Sequence, residues 1–239
     1  MEINYKQIKC FVDFDGTITI DDVGDSFFRK FSRFDEYITL LIKNEISIEE
    51  YYYSVCAFLP KELTESDIIE FAGGFEIDPN FKRFVDYCDS RNLPVLIISD
   101  GFDIYIRSIL ERYGLKTNFS ANSLSGFGEK IIPLFNSASE SCTCPSASCK
   151  RNIMLNELGP DDLAVYIGDG LSDFCAASHA DIVFAKNSLA AHCNKMKIPH
   201  HPYSNFFDVY RILDNLIKKG KIKKRHQAEL LKKKAYETE

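Results

Sequence analysis

The chain has 239 residues, of which 45% are hydrophobic and 27% are charged. This composition is typical of a soluble globular protein with its own core, and the length predicts one or two domains. No apolar run approaches the roughly 20 residues that a membrane-spanning helix needs. The first residues, MEINYKQIK, lack the basic start and apolar stretch of a signal peptide, so we expect a cytoplasmic protein.

The charge is distributed unevenly along the chain. Residues 218–239 contain nine Lys or Arg and three Glu, a net charge of +6, whereas the whole chain carries −6. Residues 1–217 therefore carry −12, which argues against nucleic acid as a partner. The basic segment 218–239 is predicted to be a solvated terminal helix or tail, and contact with an anion or an acidic partner is the alternative.

Apolar runs predict the buried strands of one sheet. In chain order they are IKCFV (8–12), LPVLIIS (93–99), LAVYIG (163–168) and ADIVFA (180–185). Segments with apolar residues at helical spacing follow them, among them 102–114, 149–159 and 204–219. Residues 117–135 alternate around central glycines and predict a β-hairpin. The alternation predicts an α/β fold, a Rossmann-like parallel sheet with helices on both faces.

The first strand–helix–strand unit is abnormally long. Such a unit takes about 30 residues, but 86 positions separate Asp13 from Ser99. The intervening sequence contains helical patterns and no clear core strand. We therefore predict a small helical cap domain inserted at 20–78, over the first loop, in a core made of residues 1–19 and 79–217.

Carboxylates follow three of the predicted strands. The three loops carry Asp13, Asp15 and Thr17, then Ser99, Asp100 and Gly101, and then Asp169, Gly170, Ser172 and Asp173. Because ligands bind beyond the carboxyl ends of parallel strands, we expect these loops to be neighbours. Clustered carboxylates repel one another unless a cation lies among them. Oxygen ligands of this kind suit Mg²⁺ bound together with a substrate phosphate.

Lys150 complements these carboxylates. It begins a predicted helix that leads into the third of the strands, so its ammonium group can point toward the same loops. The hydroxyl of Ser99 and the backbone N–H groups of Asp100 and Gly101 are placed to receive phosphate oxygens. The sequence therefore predicts an anionic, phosphorylated ligand.

The segments DFDGT, IISDG, Lys150 and GDGLSD resemble, in this order, the four motifs of the haloacid dehalogenase-like (HAD) phosphatase superfamily. The resemblance covers about residues 8–215. It implies Mg²⁺-dependent hydrolysis of a small phosphorylated metabolite through an aspartyl-phosphate. Asp13 would be the nucleophile, and Asp15 would be the general acid and then the general base.

The resemblance also implies roles for the remaining polar residues. The implied metal ligands are Asp13, Asp15 through its backbone carbonyl, Asp169 and Asp173, the last of which could instead orient Lys150. The implied phosphate contacts are Thr17, Ser99, Asp100, Gly101 and Lys150. Pump-like relatives usually have Thr at the position of Asp15, so this carboxylate favours a hydrolase.

Three local features bear on the substrate, and they disagree. Asp22 aligns with a carboxylate that binds the substrate amine in phosphoserine phosphatases, although capping of the first inserted helix is the alternative. CTCPSASCK (142–150) resembles a segment of phosphatases for phosphoethanolamine, phosphocholine and pyridoxal phosphate, in which an Asp at the position of Asp100 is thought to face the amine. Gly16 fits the phosphoserine type and the methionine-salvage type, which acts on a ketopentenyl phosphate. The sequence leaves the substrate open among these.

The inserted segment is rich in aromatic residues, which at helical spacing are predicted mainly as core. Some rings could instead face the site and contact a quaternary amine or a substrate ring.

The chain has eight cysteines, of which five lie alone in apolar segments and are predicted to be small buried residues. Cys142, Cys144 and Cys149 are clustered, but three cysteines at these spacings match a zinc site poorly. A fourth ligand could come from Cys175 or another cysteine. A structural metal and a disulfide are alternatives to a packed loop that positions Lys150.

Two other functions use the same fold. A phosphotransferase would pass the phosphoryl group to a second alcohol rather than to water. A non-enzymatic binding module would lack a catalytic residue, and none is missing from the motifs.

Overall fold

The computed structural model describes residues 6–138, 142 and 144–238. Its centre is a seven-stranded sheet in the order β4-β3-β2-β1-β5-β6-β7. The strands are β1 (Ile8–Val12), β2 (Val95–Phe102), β3 (Asn118–Ser125), β4 (Ile132–Leu134), β5 (Leu163–Gly168), β6 (Ile182–Ala185) and β7 (His201–Pro202). Neighbouring strands are parallel except β3 and β4, which pair antiparallel. The parallel sheet and the hairpin at its edge are confirmed.

Helices connect these strands and cover the sheet. In chain order they are α1 (Val23–Phe31), α2 (Phe34–Ile42), α3 (Ile48–Ala57), α4 (Glu65–Ala72), α5 (Phe81–Ser90), α6 (Asp103–Arg112), α7 (Lys150–Glu157), α8 (Phe174–His179), α9 (Asn187–Met196), α10 (Phe206–Lys218) and α11 (His226–Thr238). Among the described residues, no helix is long and apolar enough to cross a membrane.

The strands are apolar on both faces because helices pack on both. Successive side chains of a strand point to opposite faces. In β1, Cys10 and Val12 lie in a buried cluster that contains Ile106 of α6, whereas Phe11 lies in a second cluster with Met154 of α7. The predicted α/β architecture, with helices on both sides of the sheet, is confirmed.

Helices α1–α4 occupy the chain between β1 and α5, where the sequence predicted an inserted helical segment. Helix α3 begins with a reciprocal capping box, in which Ser47 Oγ accepts from Glu50 N and Glu50 Oε2 accepts from Ser47 N. Thr19 and Ile77 form an isolated antiparallel bridge, so the two ends of the segment lie side by side. The limits 20–78 for a separate cap stay a prediction.

In the basic C-terminal segment, residues 226–238 form helix α11, which is not simply solvated. Helix α11 packs against α8. Lys232 Nζ lies 2.6 Å from Asp181 Oδ2, and the hydroxyl of Tyr236 donates to the carbonyl oxygen of Leu155 at 2.9 Å. Ala235 of the same helix is buried. These contacts neutralise part of the positive charge within the protein itself.

Four of the five isolated cysteines are buried as predicted, namely Cys10, Cys56, Cys88 and Cys193. The prediction is wrong for Cys175, which is only half-buried and whose sulfur lies 3.5 Å from that of Cys142. The alternative that the sequence left open, a cluster of four cysteines, is the one observed.

Candidate active site

Lys150 joins two of the three polar loops through a buried ion-pair cluster. Its Nζ lies 2.6 Å from Asp13 Oδ1 and 2.7 Å from Asp173 Oδ1. The side chains of Lys150 and Asp173 are 1% and 0% exposed. The lysine reaches them because it is the first residue of α7, and the carboxylates follow the neighbouring strands β1 and β5. The structure therefore brings together three residues that the sequence predicted at one site.

The protonation of this cluster follows from its burial and its charges. Burial and the nearby carboxylate of Asp173 raise the pKa of Asp13 well above its usual value, and Lys150 partly offsets them. Burial also acts to raise the pKa of Asp173, but Lys150 and hydrogen bonds hold it below its usual range. Burial disfavours the charged form of Lys150, yet the two carboxylates raise its pKa above the ordinary value. Lys150 and Asp173 are thus a charged pair.

Asp15 is held by four hydrogen bonds. Its Oδ1 accepts from the backbone N–H groups of Val23 and Gly24, at the start of α1, at 3.1 and 3.3 Å. Its Oδ2 accepts from the hydroxyl of Tyr105 at 2.9 Å and from Ser99 Oγ at 3.2 Å. The carboxylate is therefore fixed in orientation by one inserted helix and by two elements of the core.

The pKa of Asp15 is raised to about 7, first by burial and then by the charge of Asp22, although the bond from Tyr105 lowers it. A carboxyl group with a pKa near neutrality can both give and take a proton at neutral pH. The environment of Asp15 therefore suits acid–base chemistry.

Asp169 lies at the mouth of the same group. Its Oδ1 accepts from Thr17 Oγ1 at 3.0 Å, and its Oδ2 accepts from Asn187 Nδ2 at 3.1 Å. Carboxylate oxygens of Asp13, Asp169 and Asp173 all lie within 4.8 Å of one another. Within the described part of the chain, no hydrogen bond reaches Asp13 Oδ2. These oxygens could hold a hard cation, because hard cations prefer oxygen ligands.

Asp100 is committed to the loop that precedes Lys150. Its Oδ1 accepts from Ser148 N at 2.8 Å, and its Oδ2 accepts from Ala147 N at 3.1 Å. Asn122 Nδ2 donates to the backbone carbonyl of Asp100 at 2.7 Å. The residue thus ties β2 to the start of α7. Its expected contacts with phosphate and with a substrate amine stay predictions.

The expected phosphate-binding groups have protein partners in this structure. Ser99 Oγ accepts from Gly101 N at 2.9 Å as well as donating to Asp15. Thr17 donates to Asp169. These hydroxyls lie beside the carboxylates, as expected, and their contact with phosphate stays a prediction.

A cavity of about 250 Å³ opens above these residues, between the sheet edge and helices α1–α3. Its acidic lining is Asp13, Asp15, Asp22, Asp25, Asp100 and Asp169. Its apolar and aromatic lining includes Phe28, Ile38, Leu41, Ile48, Tyr51 and Tyr52. Lys150 is the basic side chain among the described residues that line it. The cavity therefore combines clustered carboxylates and Lys150 with an apolar surface.

The sequence profile of haloacid dehalogenase-like hydrolases matches residues 10–178. The chain belongs to this family. A 2-hydroxy-3-keto-5-methylthiopentenyl-1-phosphate phosphatase of Brevibacillus brevis is 32% identical over 216 residues, which cover 88% of this chain and 97% of the relative. An enzyme of the same name from Geobacillus kaustophilus is 30% identical over 216 residues, which again cover 88% of this chain and 97% of the relative. The family and these phosphatases support a phosphoric monoester hydrolase.

Solved structures of a phosphoserine phosphatase and of a nucleotidase share the fold. A phospho-aspartyl intermediate analogue of phosphoserine phosphatase superposes with a TM-score of 0.64 at 18% identity, covering 88% of this chain and 99% of that one. Cytosolic 5′-nucleotidase IIIB bound to cytidine gives 0.62 at 17% identity, covering 89% and 86%. The fold predicted from the four HAD-like motifs is thereby confirmed.

Asp22 occupies both positions considered for it. It is the N-cap of α1, where its Oδ1 accepts from Asp25 N at 2.7 Å, and it also lines the cavity. Its contact with a substrate stays a prediction for this HAD-family protein. Asp25, which sequence reasoning missed, lies one helical turn further along α1 and also lines the cavity.

Sequence reasoning also missed two tyrosines that hold the HAD carboxylates. Tyr105 donates to Asp15, and Tyr166 donates to Asp173 Oδ1 at 2.6 Å. Both lie within apolar patterns that predict core, and both are fully buried. A phenol group needs a hydrogen-bond partner when it is buried. The signal that could have been used is the position of Tyr166. It lies two residues before Gly168, the first glycine of the GDGLSD motif.

Gly16 of the first HAD motif has two independent reasons to be glycine. Its φ of +68° lies in the left-handed region, and a Cβ there would lie 3.0 Å from Asp169 Oδ2. A side chain at this position therefore meets a carboxylate of the candidate metal group.

We expect Gly16→Ala to weaken activity more than its effect on stability explains. Gly114 is the matched control, because its φ is +65° and a Cβ added there would meet nothing within 4 Å. Both changes should lower the free energy of unfolding by about 1 kcal/mol from backbone strain. Only Gly16→Ala should raise the Mg²⁺ concentration needed for half-maximal hydrolysis, measured by titration. Equal metal dependence in the two variants would contradict this account.

Lys150→Met is expected to destabilise the protein, because it leaves Asp13 and Asp173 buried without their cation. Breaking a buried pair in this way costs about 3 kcal/mol. The control is Lys82→Met, which removes an exposed pair with Asp86 at 3.1 Å and should cost under about 1 kcal/mol. Urea unfolding of both variants measures the difference, and similar losses would show that the buried cluster has no special role in stability.

Proposed function

We propose that the chain is a Mg²⁺-dependent phosphatase that hydrolyses 2-hydroxy-3-keto-5-methylthiopentenyl 1-phosphate or a close analogue. The observation that carries the proposal is a cavity that joins clustered carboxylates and Lys150 to an apolar, aromatic wall. The names of the relatives that align over most of the chain support the same substrate.

Asp13 is the proposed nucleophile. Its Oδ1 is held by Lys150 at 2.6 Å and by the N–H of Phe14 at 2.7 Å, which leaves Oδ2 for the substrate. An oxygen of Asp13 forms a bond to phosphorus while the ester P–O bond breaks, and Asp15 gives its proton to the leaving oxygen. Asp15 then takes a proton from water, whose oxygen attacks phosphorus and breaks the bond to Asp13.

The metal proposal uses the carboxylates described above. Asp13, Asp169 and the backbone carbonyl of Asp15 would hold Mg²⁺, which when bound neutralises negative charge on the phosphoryl oxygens. Asp173 accepts four hydrogen bonds. Two come from the side chains of Lys150 and Tyr166, and two come from the backbone N–H groups of Asp169 and Gly170. We therefore assign it chiefly to positioning Lys150.

The charge of the cavity favours a substrate with one anionic group. Lys150 is the basic group of the cavity lining among the described residues, whereas Asp22 and Asp25 add negative charge to that lining. A second carboxylate, as in phosphoserine, would be repelled there. The wall formed by Phe28, Ile38 and neighbouring residues suits a methylthio group. In this proposal, residues 20–78 act as a cap that excludes water during the reaction.

A second candidate substrate is a phosphorylated amino alcohol such as phosphoethanolamine or phosphocholine. The observation that favours it is the pair Asp22 and Asp25 near the ring of Tyr51, whose pKa burial and these two carboxylates raise. Carboxylates and aromatic faces both attract ammonium groups.

The test is phosphate release with Mg²⁺ from the methylthiopentenyl ester, phosphoethanolamine, phosphocholine, pyridoxal phosphate and phosphoserine. We expect the methylthiopentenyl ester to lead by about 10² in kcat/KM, a difference of about 2.7 kcal/mol. An analogue without the methylthio group is the matched control and should lose about tenfold or more. A lead by either amine ester would support the second candidate, and equal rates for all would refute both.

A further inference from the structure

Four cysteine side chains meet beside the catalytic lysine. Cys142 Sγ lies 3.5 Å from Cys175 Sγ, and Cys144 Sγ lies 3.6 Å from Cys149 Sγ. The four sulfur atoms all lie within 4.8 Å of one another. Three come from the segment before α7, and the fourth comes from α8, so the cluster is made by the fold and not by local sequence.

The spacing of the sulfur atoms is that of ligands around a metal ion. A disulfide needs sulfur atoms about 2.05 Å apart, and all four cysteines are free. Four thiolates around zinc at about 2.3 Å in a tetrahedron lie about 3.8 Å apart. The observed distances of 3.5 and 3.6 Å fit this arrangement.

We propose that Cys142, Cys144, Cys149 and Cys175 together bind one structural Zn²⁺ ion. All four positions of a tetrahedral ion are filled by protein, so this is a closed site without an open position for substrate. It is separate from the carboxylate group, whose oxygen ligands suit a harder cation. The proposal does not depend on which phosphate ester the enzyme hydrolyses.

The site joins the two elements that hold the buried ion pair. Cys149 is the N-cap residue of α7 and directly precedes Lys150. Cys175 is the second residue of α8 and lies two positions after Asp173. An ion bound by both would fix the start of α7 against the start of α8. It would therefore fix the positions of Lys150 and Asp173, which are 2.7 Å apart.

The same segment contributes to the substrate cavity. Pro145, between the second and third cysteines, lines it. Backbone N–H groups of Ala147 and Ser148 are held by Asp100. The metal and Asp100 would thus hold the segment at different residues. Loss of the ion is expected to loosen Pro145 and Lys150 together.

The experiment measures metal in the full-length protein, purified with a reductant and without chelators. We expect about one zinc per chain by plasma mass spectrometry, in agreement with four thiolates for one ion. Cys175→Ala should lose the zinc, and the matched control Cys193→Ala, a buried free thiol outside the cluster, should keep it. Replacement by Co²⁺ should give the intense absorption of a tetrahedral thiolate complex in the wild type and in the control only.

The wild-type measurements decide the proposal even where Cys175→Ala does not fold, and Cys142→Ala, on a half-buried cysteine, is the second variant. A wild-type protein without zinc that also fails to take up Zn²⁺ or Co²⁺ under reducing conditions would overturn the proposal. Iron in place of zinc would refute the assignment of the ion as Zn²⁺. Disulfides between these cysteines, seen as thiols that react only after reduction, would overturn the site.

Discussion

Asp13→Asn is expected to lower kcat/KM by about 10⁴-fold. An amide oxygen is a poor nucleophile, so the bond to phosphorus no longer forms. The substitution preserves shape and leaves the charged pair of Lys150 and Asp173 in place, so the protein should fold and its thermal stability should not fall. Steady-state hydrolysis of p-nitrophenyl phosphate, together with a thermal melt, measures both effects.

The matched control is Asp89→Asn, which changes an exposed aspartate near the end of α5, before β2 begins. It should retain wild-type activity within about twofold, as surface changes away from a site usually do. An Asp13→Asn variant that keeps a tenth of the wild-type rate would refute the assignment of the nucleophile.

Asp15→Asn is expected to lower the turnover rate by about 10³-fold and to leave the enzyme phosphorylated. With p-nitrophenyl phosphate the leaving group needs little protonation, so the first step should still proceed. The second step needs a base to deprotonate water, and Asn cannot serve as one. Rapid-quench experiments should show a burst of about one nitrophenol per chain, and intact-mass measurement should show one added phosphoryl group.

Asp35→Asn, at an exposed position of α2, is the control for this experiment and should turn over without a burst. Equal slowing of both steps, with no phosphorylated protein, would show that Asp15 only positions other groups. Normal turnover would remove it from the reaction altogether.

The core of the site could be predicted because parallel strands place their carboxyl ends at one edge. Each of three residues, Asp13, Ser99 and Asp169, follows an apolar run. The topology of a parallel sheet alone therefore predicts that they lie close together. Lys150 could be placed because it begins a helix that runs into the next strand. In these cases the local pattern and the fold carry the same information.

Other contacts leave no mark on the local sequence. Tyr105 lies on an ordinary apolar helix face, and only the packing of α6 brings its hydroxyl to Asp15. Cys175 lies in a short apolar segment, and its partners are far away in the chain. The packed face of α11 was missed for the same reason, because Lys232 pairs with Asp181, 51 residues earlier. Side chains that meet across elements depend on three-dimensional packing, which spacing in one sequence does not report.

The bridge between Thr19 and Ile77 determines how α1–α4 can move. Ile20 N donates to Glu76 O at 2.9 Å, and Asp78 N donates to Ile18 O at 2.8 Å, so the two connections to the core are one paired ribbon. A paired ribbon behaves as a single hinge with one axis. We expect the four helices to swing as a unit about it, which would admit substrate and release phosphate while β1 stays in place. The same swing would break the two bonds from the start of α1 to Asp15.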